Sequence, residues 1–302
     1  MKKIIFFIII CLATLSVFLF LYFKITKKEA IISVTASLPT ASQPFTILLV
    51  PGHDTDTDCN NGMKCNSGAS YKSIYERDLV VDLANNISTL LSQDSKYKVV
   101  IARDKKAWNP TFASYFTDKK QATLDFKNQH QVAYKLLIAS GQQKVIPNTG
   151  KHTTADQKTA IELYGINKWA DENKVDLIIH LHFNNATRRH VNLPGPNKGF
   201  DIFIPDKQRV NAMVSRIIAE NIYKELQKKF TPETAGNNYN SLYEDQDLIA
   251  LGASDTLIKP AILIEYAYIY EKDLQTSKSR KNTLEQMAEQ TVAGIQDYFN
   301  RK

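Results

Sequence analysis

Three segments far apart in the chain each place a metal-ligating side chain at a structural boundary: His53 closes Leu48-Leu49-Val50-Pro51-Gly52-His53, Glu76 stands in Tyr75-Glu76-Arg77-Asp78, and His182 closes Asp176-Leu177-Ile178-Ile179-His180-Leu181-His182. Two imidazoles and a carboxylate, with a fourth position left for water, form a usual ligand set for catalytic zinc. Hydrolysis at such a centre also needs a carboxylate that carries protons. Glu265 is that candidate, because the apolar run Ala261-Ile262-Leu263-Ile264 leads directly into it. The chain reads as a zinc hydrolase. Asn184 is close enough in sequence to fix substrate or His182, whereas Arg103 and Asp104 read as turn residues and His130, His152 and His190 as surface residues.

These residues need elements to hold them. Residues 45–50, 97–102, 175–181, 199–204 and 261–264 are continuous apolar runs of strand length, the pattern of strands buried on both faces. Between them, residues 74–91, 159–172, 210–230 and 283–299 repeat apolar side chains at helical spacing. That order predicts one α/β domain over residues 45–302, with a largely parallel central sheet covered by helices on both faces. In such a sheet ligands collect beyond the carboxyl ends of the strands. His53 and His182 fall at those ends, Glu265 follows another strand, and Glu76 opens a helix after a loop rich in Gly, Ser and Asn.

The N-terminus suggests where the domain works. Residues 4–23 carry no charge and are almost wholly apolar, enough at ~1.5 Å per residue to cross a bilayer core of about 30 Å. A transmembrane anchor over residues 1–28 is expected rather than a cleaved signal, whose apolar region would be shorter and closely followed by small residues. Residues 29–44 read as a linker. Lysines flank the span on both sides, so charge alone does not orient it. Cys59 and Cys65 bracket a short loop and read as a disulfide rather than two unrelated thiols, which favours a body outside the cytoplasm. Cys11 lies within the span.

Composition narrows the partners. The 38 Lys and Arg exceed the 31 Asp and Glu by seven, but five of those lysines lie within residues 1–28, where no acid stands, leaving a surplus of two on the remainder. The basicity is a membrane-flank effect, and no nucleic-acid partner is expected.

Taken together, these segments resemble the zinc-dependent N-acetylmuramoyl-L-alanine amidases of the amidase 3 family: Pro51-Gly52-His53, Glu76-Arg77-Asp78 continuing into Leu79-Val80-Val81, Arg103-Asp104 after the second strand, the run ending His180-Leu181-His182-Phe183-Asn184, Gly199-Phe200, and Ile264-Glu265. The resemblance spans residues 46–300. It implies a six-stranded sheet, His53, Glu76 and His182 as zinc ligands, Glu265 as the catalytic carboxylate, and cleavage of the amide joining N-acetylmuramic acid to the first L-alanine of the peptidoglycan stem. A silent wall-binding module of the same fold and a zinc peptidase are the rival readings.

Three departures stand out. His180 occupies a position where family members usually carry a small residue such as serine, and at two residues before His182 it points to the same face. It reads as a satisfied core histidine, with a hydrogen bond to the ligand shell or a competing ligand as alternatives. Asp54 replaces a glycine. Residues 105–160 form an insertion holding a helix candidate over 121–139, read as a surface elaboration in preference to a lid. Tyr266, Tyr268 and Tyr270 are expected along one wall of a substrate groove, with core packing as the alternative for at least one of them, and residues 243–248 along the other.

Overall fold

The computed structural model describes residues 43–53, 68–146, 155–186, 190, 193–233 and 241–300. The expected membrane span and linker, Cys11, the Cys59 and Cys65 pair, Asp54 and His152 lie outside the described residues. Among those that are described, no helix is long and apolar enough to cross a membrane.

Phe45–Lys302 forms one unit. Its strands are β1 (Phe45–Pro51), β2 (Ser70–Tyr71), β3 (Ile74–Tyr75), β4 (Tyr97–Ile101), β5 (Leu177–Asn184), β6 (Asp201–Pro205), β7 (Leu242–Asp245) and β8 (Ala261–Tyr268). Its helices are α1 (Glu76–Leu91), α2 (Pro110–Asp118), α3 (Lys120–Ala139), α4 (Gln157–Glu172), α5 (Ala212–Leu226) and α6 (Ser277–Phe299). The main sheet has six strands in the order β4-β1-β5-β8-β6-β7. The pairs β1/β4, β1/β5, β5/β8 and β6/β7 are parallel, and β6 runs antiparallel to β8. The sheet is therefore mostly parallel, with β6 and β7 reversed.

Strand alternation sorts the core into two layers. Ile47, Leu49, Ile179 and Leu181 face α1, α5 and α6, whereas Leu48, Val50, Ile178 and Leu263 face Ile166 and Trp169 of α4 and Phe112 of α2. Each fully buried aliphatic or aromatic side chain contributes about 1.5–3 kcal/mol. Local signals start several helices: the Asp156 carboxylate accepts the Thr159 N–H at 3.0 Å to cap α4, and Asn109 caps α2 with Pro110 at the first helical position.

The structure corrects several expectations. The helix expected over 74–91 begins at Glu76, because Ile74–Tyr75 pairs with Ser70–Tyr71 as a small antiparallel ribbon. The stretch expected as a groove wall, 243–248, contains the end of the edge strand β7, and its last two residues, Asp247 and Leu248, do line a cavity. Tyr266, Tyr268 and Tyr270 are all buried in the core, where aromatic packing was expected for at least one of them. Tyr266 is adjacent to Glu265, so the alternation of a strand sends it to the opposite face, where its hydroxyl meets Thr291 at 2.9 Å. Tyr268 is two residues further along and bonds Glu233. His130 is half-buried on α3, where its ring meets the backbone at Ser254 and Asp255. His190 is exposed. The 105–160 insertion forms α2 and α3; α3 buries only Thr123 among its twenty residues.

Candidate metal centre

The end of β1 and the start of α1 are joined by a pattern of backbone and side-chain bonds. Glu76 opens α1, its N–H bonding the Ala69 carbonyl at 2.9 Å, while its Oε2 accepts the Ala69 N–H at 2.6 Å. The other oxygen, Oε1, accepts the Phe183 N–H at 2.9 Å. Onto that same oxygen converge His53 Nε2 at 2.8 Å and His182 Nδ1 at 3.0 Å. The rings meet edge to face with centroids 4.9 Å apart. One ligand atom from each of the three residues lies within 4.8 Å of the others. Glu76 is 2 % exposed. Burial pushes its carboxyl up, but the charge of His53 and hydrogen bonds from both imidazoles outweigh this and hold it well below the usual carboxylate range.

The backbone here has little freedom. His53 adopts φ 69°, in the left-handed region that few non-glycine residues occupy. Arg103, 2 % exposed, grips the turn. Its Nε donates to the Pro51 carbonyl at 3.1 Å, Nη2 donates to the Gly52 carbonyl and to the Arg77 carbonyl at 3.1 Å, and Nη1 donates to Asp104 O at 3.0 Å. One guanidinium thus ties the residue before His53 to the residue after Glu76. Two glycines leave the room this arrangement needs. A Cβ on Gly52 would strike the His182 ring, and one on Gly68, itself at φ +69°, would strike His53 and approach Glu76 Oε2 to 2.5 Å.

Glu265 lies beside this cluster. The pairing of β5 with β8 sets His182 opposite Glu265, and that of β6 with β8 sets Asp201 opposite Glu265. His182, Glu265 and Asp201 therefore form one rung across three strands, their side chains on one face. Glu265 is 3 % exposed and Asp201 is buried as well. Sequence reasoning missed Asp201; the available signal was an acid at the head of the apolar run Ile202-Phe203-Ile204. It also took Arg103 for a turn residue, although a cation directly after a buried strand is a candidate for holding carbonyls. Asn184 closes β5, and its Oδ1 accepts the Asn185 N–H at 2.8 Å.

His180, one strand pleat below His182, is 2 % exposed. Burial, then the charge of His182, lowers its pKa to about 3 against a hydrogen bond to the Ala250 backbone. Its Nε2 is buried with no hydrogen-bond partner among the described residues. The expectation of a satisfied core histidine is thus met at one nitrogen only. A cavity of about 280 Å³ adjoins the cluster, lined by His53, His182, His180, Val50, Leu163 and Leu263 among others.

The donor set fits a zinc ion by its chemistry: two imidazole nitrogens from strand ends and a carboxylate oxygen from a helix start, at mutual ligand distance, with the carboxylate held by backbone N–H groups.

Against known proteins, a family model described as N-acetylmuramoyl-L-alanine amidase matches residues 47–297. Among solved structures the chain is similar to the N-acetylmuramyl-L-alanine amidase Ami1 of Mycobacterium smegmatis, with 14% identity, a TM-score of 0.55 and coverage of 85% of this chain and 98% of that one. It is also similar to the CwlD amidase of Clostridioides difficile, solved in complex with the GerS lipoprotein, with 16% identity, a TM-score of 0.54 and coverage of 85% and 100%. An N-acetylmuramoyl-L-alanine amidase of Clostridium difficile 630 matches with 16% identity, a TM-score of 0.51 and coverage of 86% and 100%. At these identities the likeness is one of fold. Comparison with curated proteins found no match.

Proposed function

The chain belongs to the N-acetylmuramoyl-L-alanine amidase family, and from that membership we propose that it hydrolyses the amide between N-acetylmuramic acid and the L-alanine of the peptidoglycan stem, with a zinc ion held by His53, Glu76 and His182. The observation that carries this reading is the convergence of both imidazoles on Glu76 Oε1, at 2.8 and 3.0 Å. When bound there, zinc supplies a Lewis acid that polarises a carbonyl and makes water a nucleophile near neutral pH.

The chain's own residues do the rest. Glu265, opposite His182 on β8, takes the proton from the attacking water and delivers it to the nitrogen of the departing L-alanine. The N–H groups of Ala69 and Phe183 fix Glu76 and leave it no rotational freedom, and Arg103 fixes the backbone that carries His53. The apolar residues 4–23 support a membrane tether and a catalytic body outside the cytoplasm, where peptidoglycan lies.

The test is a digest of intact peptidoglycan by the full chain purified in detergent, with zinc measured on the same sample. The expected products are stem peptides with a free L-alanine amino terminus and uncut glycan strands, in a reaction abolished by chelation and restored by zinc. Products cut within the stem would make the protein a zinc peptidase. Zinc bound without turnover would make it a binding module.

A further inference from the structure

The cavity beside the metal centre has an uneven chemistry. Its floor and walls are apolar, from Val50, Leu263, Leu163, Ile166 and Trp108, and His180 lies among them. That imidazole meets the Ala250 backbone through one nitrogen and has no partner at Nε2 among the described residues. Bonding a carbonyl takes an N–H, so the neutral ring's remaining nitrogen is a lone pair. A buried acceptor left unmet costs about 1–3 kcal/mol. Such a site suits a small apolar group that brings one N–H donor. Glu162 and Asp247 also line the cavity, which disfavours a carboxylate ligand.

Sheet order tells which half of the substrate comes here. β5 lies between β1 and β8. Glu265 is on β8, and in the proposed reaction it must meet the departing L-alanine nitrogen, so the peptide half lies on that side. The acyl half then points toward the end of β1, where Val50 and Pro51 and the following Gly52 and His53 line the cavity. In an N-acetylmuramoyl substrate the 2-acetamido is one of the two ring substituents closest to the reacting carbonyl on that half, reached through the lactyl carbon, its ether oxygen and the ring carbons C3 and C2. It offers one methyl and one N–H. His180 lies two residues below His182, about 7 Å at a rise of ~3.3 Å per residue, a distance that such a short linkage spans.

We propose that this cavity is the subsite for the 2-acetamido group of the muramic acid whose lactyl amide is cut, with His180 Nε2 accepting the acetamido N–H and the apolar lining receiving the methyl. The inference rests on the amidase reading above and adds to it a determinant of the sugar that is accepted.

The experiment compares N-acetylmuramoyl-L-alanyl peptides with an analogue bearing a 2-O-acetyl ester, which keeps the methyl and carbonyl but has no N–H. The full-length wild type should favour the amide by roughly tenfold in kcat/KM, the worth of one hydrogen bond. His180→Phe should bring that ratio close to one, and His180→Gln, which retains an acceptor, should keep part of it. Equal rates on the two substrates in the wild type would overturn the subsite and leave the amidase reading intact. An undiminished ratio in His180→Phe would overturn it too, reducing His180 to a packing residue. A change in preference between free and amidated D-glutamate at the second stem position, in place of the sugar effect, would move the cavity to the peptide half and overturn the assignment. If zinc is bound and neither substrate is cut, the amidase reading fails and the subsite falls with it.

Discussion

Glu265 stands directly opposite His182 in the parallel pairing of β5 with β8, so a buried carboxylate and a candidate metal ligand share one rung and one face of the sheet. A rung fixes the spacing of two side chains more rigidly than a loop does, because strand hydrogen bonds hold both Cα atoms. The cost of such a position is burial of a carboxylate, which proteins tolerate where it serves chemistry.

Replacing Glu265 with Gln keeps the shape and removes the proton carrier. Turnover should fall by about 10²–10⁴-fold, the usual worth of a general acid–base group, with zinc stoichiometry unchanged. The measurements are kcat on purified peptidoglycan and metal content of the same preparation. Turnover within a few-fold of wild type would remove Glu265 from the reaction.

Arg103 is argued to act through the backbone of His53 and Glu76 and to touch no reacting atom. A lysine at 103 keeps the charge but cannot reach the carbonyls of Pro51, Gly52, Arg77 and Asp104 together. Arg103→Lys should therefore weaken zinc affinity about 10–100-fold, the range for groups that orient ligands, and lower kcat at saturating zinc. Competition with a chromophoric chelator reads the affinity. An unchanged affinity accompanied only by lower thermal stability would assign Arg103 to general packing.

How much of this was legible in the sequence depends on which physical signal each residue leaves. His53, Glu76 and His182 can be picked out because only a few side-chain types bind metals and two of the three end apolar strands. Their convergence on a single oxygen is a matter of backbone turns, including the left-handed His53, that no pattern of side chains announces. Arg103 is opaque for a related reason: its partners are carbonyls, which every residue has. β7 was missed because an edge strand of four residues, half of them acidic, lacks the apolar continuity that marks the buried strands. The placement of Tyr266 was available, since alternation forbids it and Glu265 a common face. The parallel part of the sheet, β1, β4, β5 and β8, is legible, because its strands are apolar runs, whereas the reversal at β6 leaves no mark in the side-chain pattern.

Gly68 is a second lever on the centre. A methyl group there would meet His53 and Glu76, and the residue sits at φ +69°, where a β-carbon alone costs about 1–2 kcal/mol. Gly68→Ala should lower stability by at least that amount and displace the Glu76 carboxylate from the two imidazoles. Denaturant unfolding and zinc titration report the two effects. Wild-type zinc affinity in Gly68→Ala would show that the cluster tolerates the displacement and that Glu76 is not a ligand.

The pH dependence of stability should carry the mark of Asp171, at the far end of α4 from its cap. Both carboxylate oxygens lie 3.3 Å from the Ile258 N–H. Burial pushes the Asp171 pKa up to about 6, against the opposing pull of that N–H and the charge of Lys259. The folded state therefore holds a proton that the unfolded chain, with a carboxylate near ~3.9, releases earlier. Between those two values the folded state binds more protons than the unfolded one, so stability from this group is full below the unfolded pKa and is lost as the pH rises through about 6. Asp171→Asn fixes the neutral form and retains an oxygen to accept the Ile258 N–H. The variant should match the wild type in melting temperature near pH 4 and exceed it by a few degrees at pH 7.5, with the difference growing as the pH rises from about 4 and levelling off above about 6. Melting curves of the two proteins across that range decide the matter, since groups common to both cancel in the comparison. A constant difference across the range would mean that Asp171 titrates alike in the folded and unfolded chain.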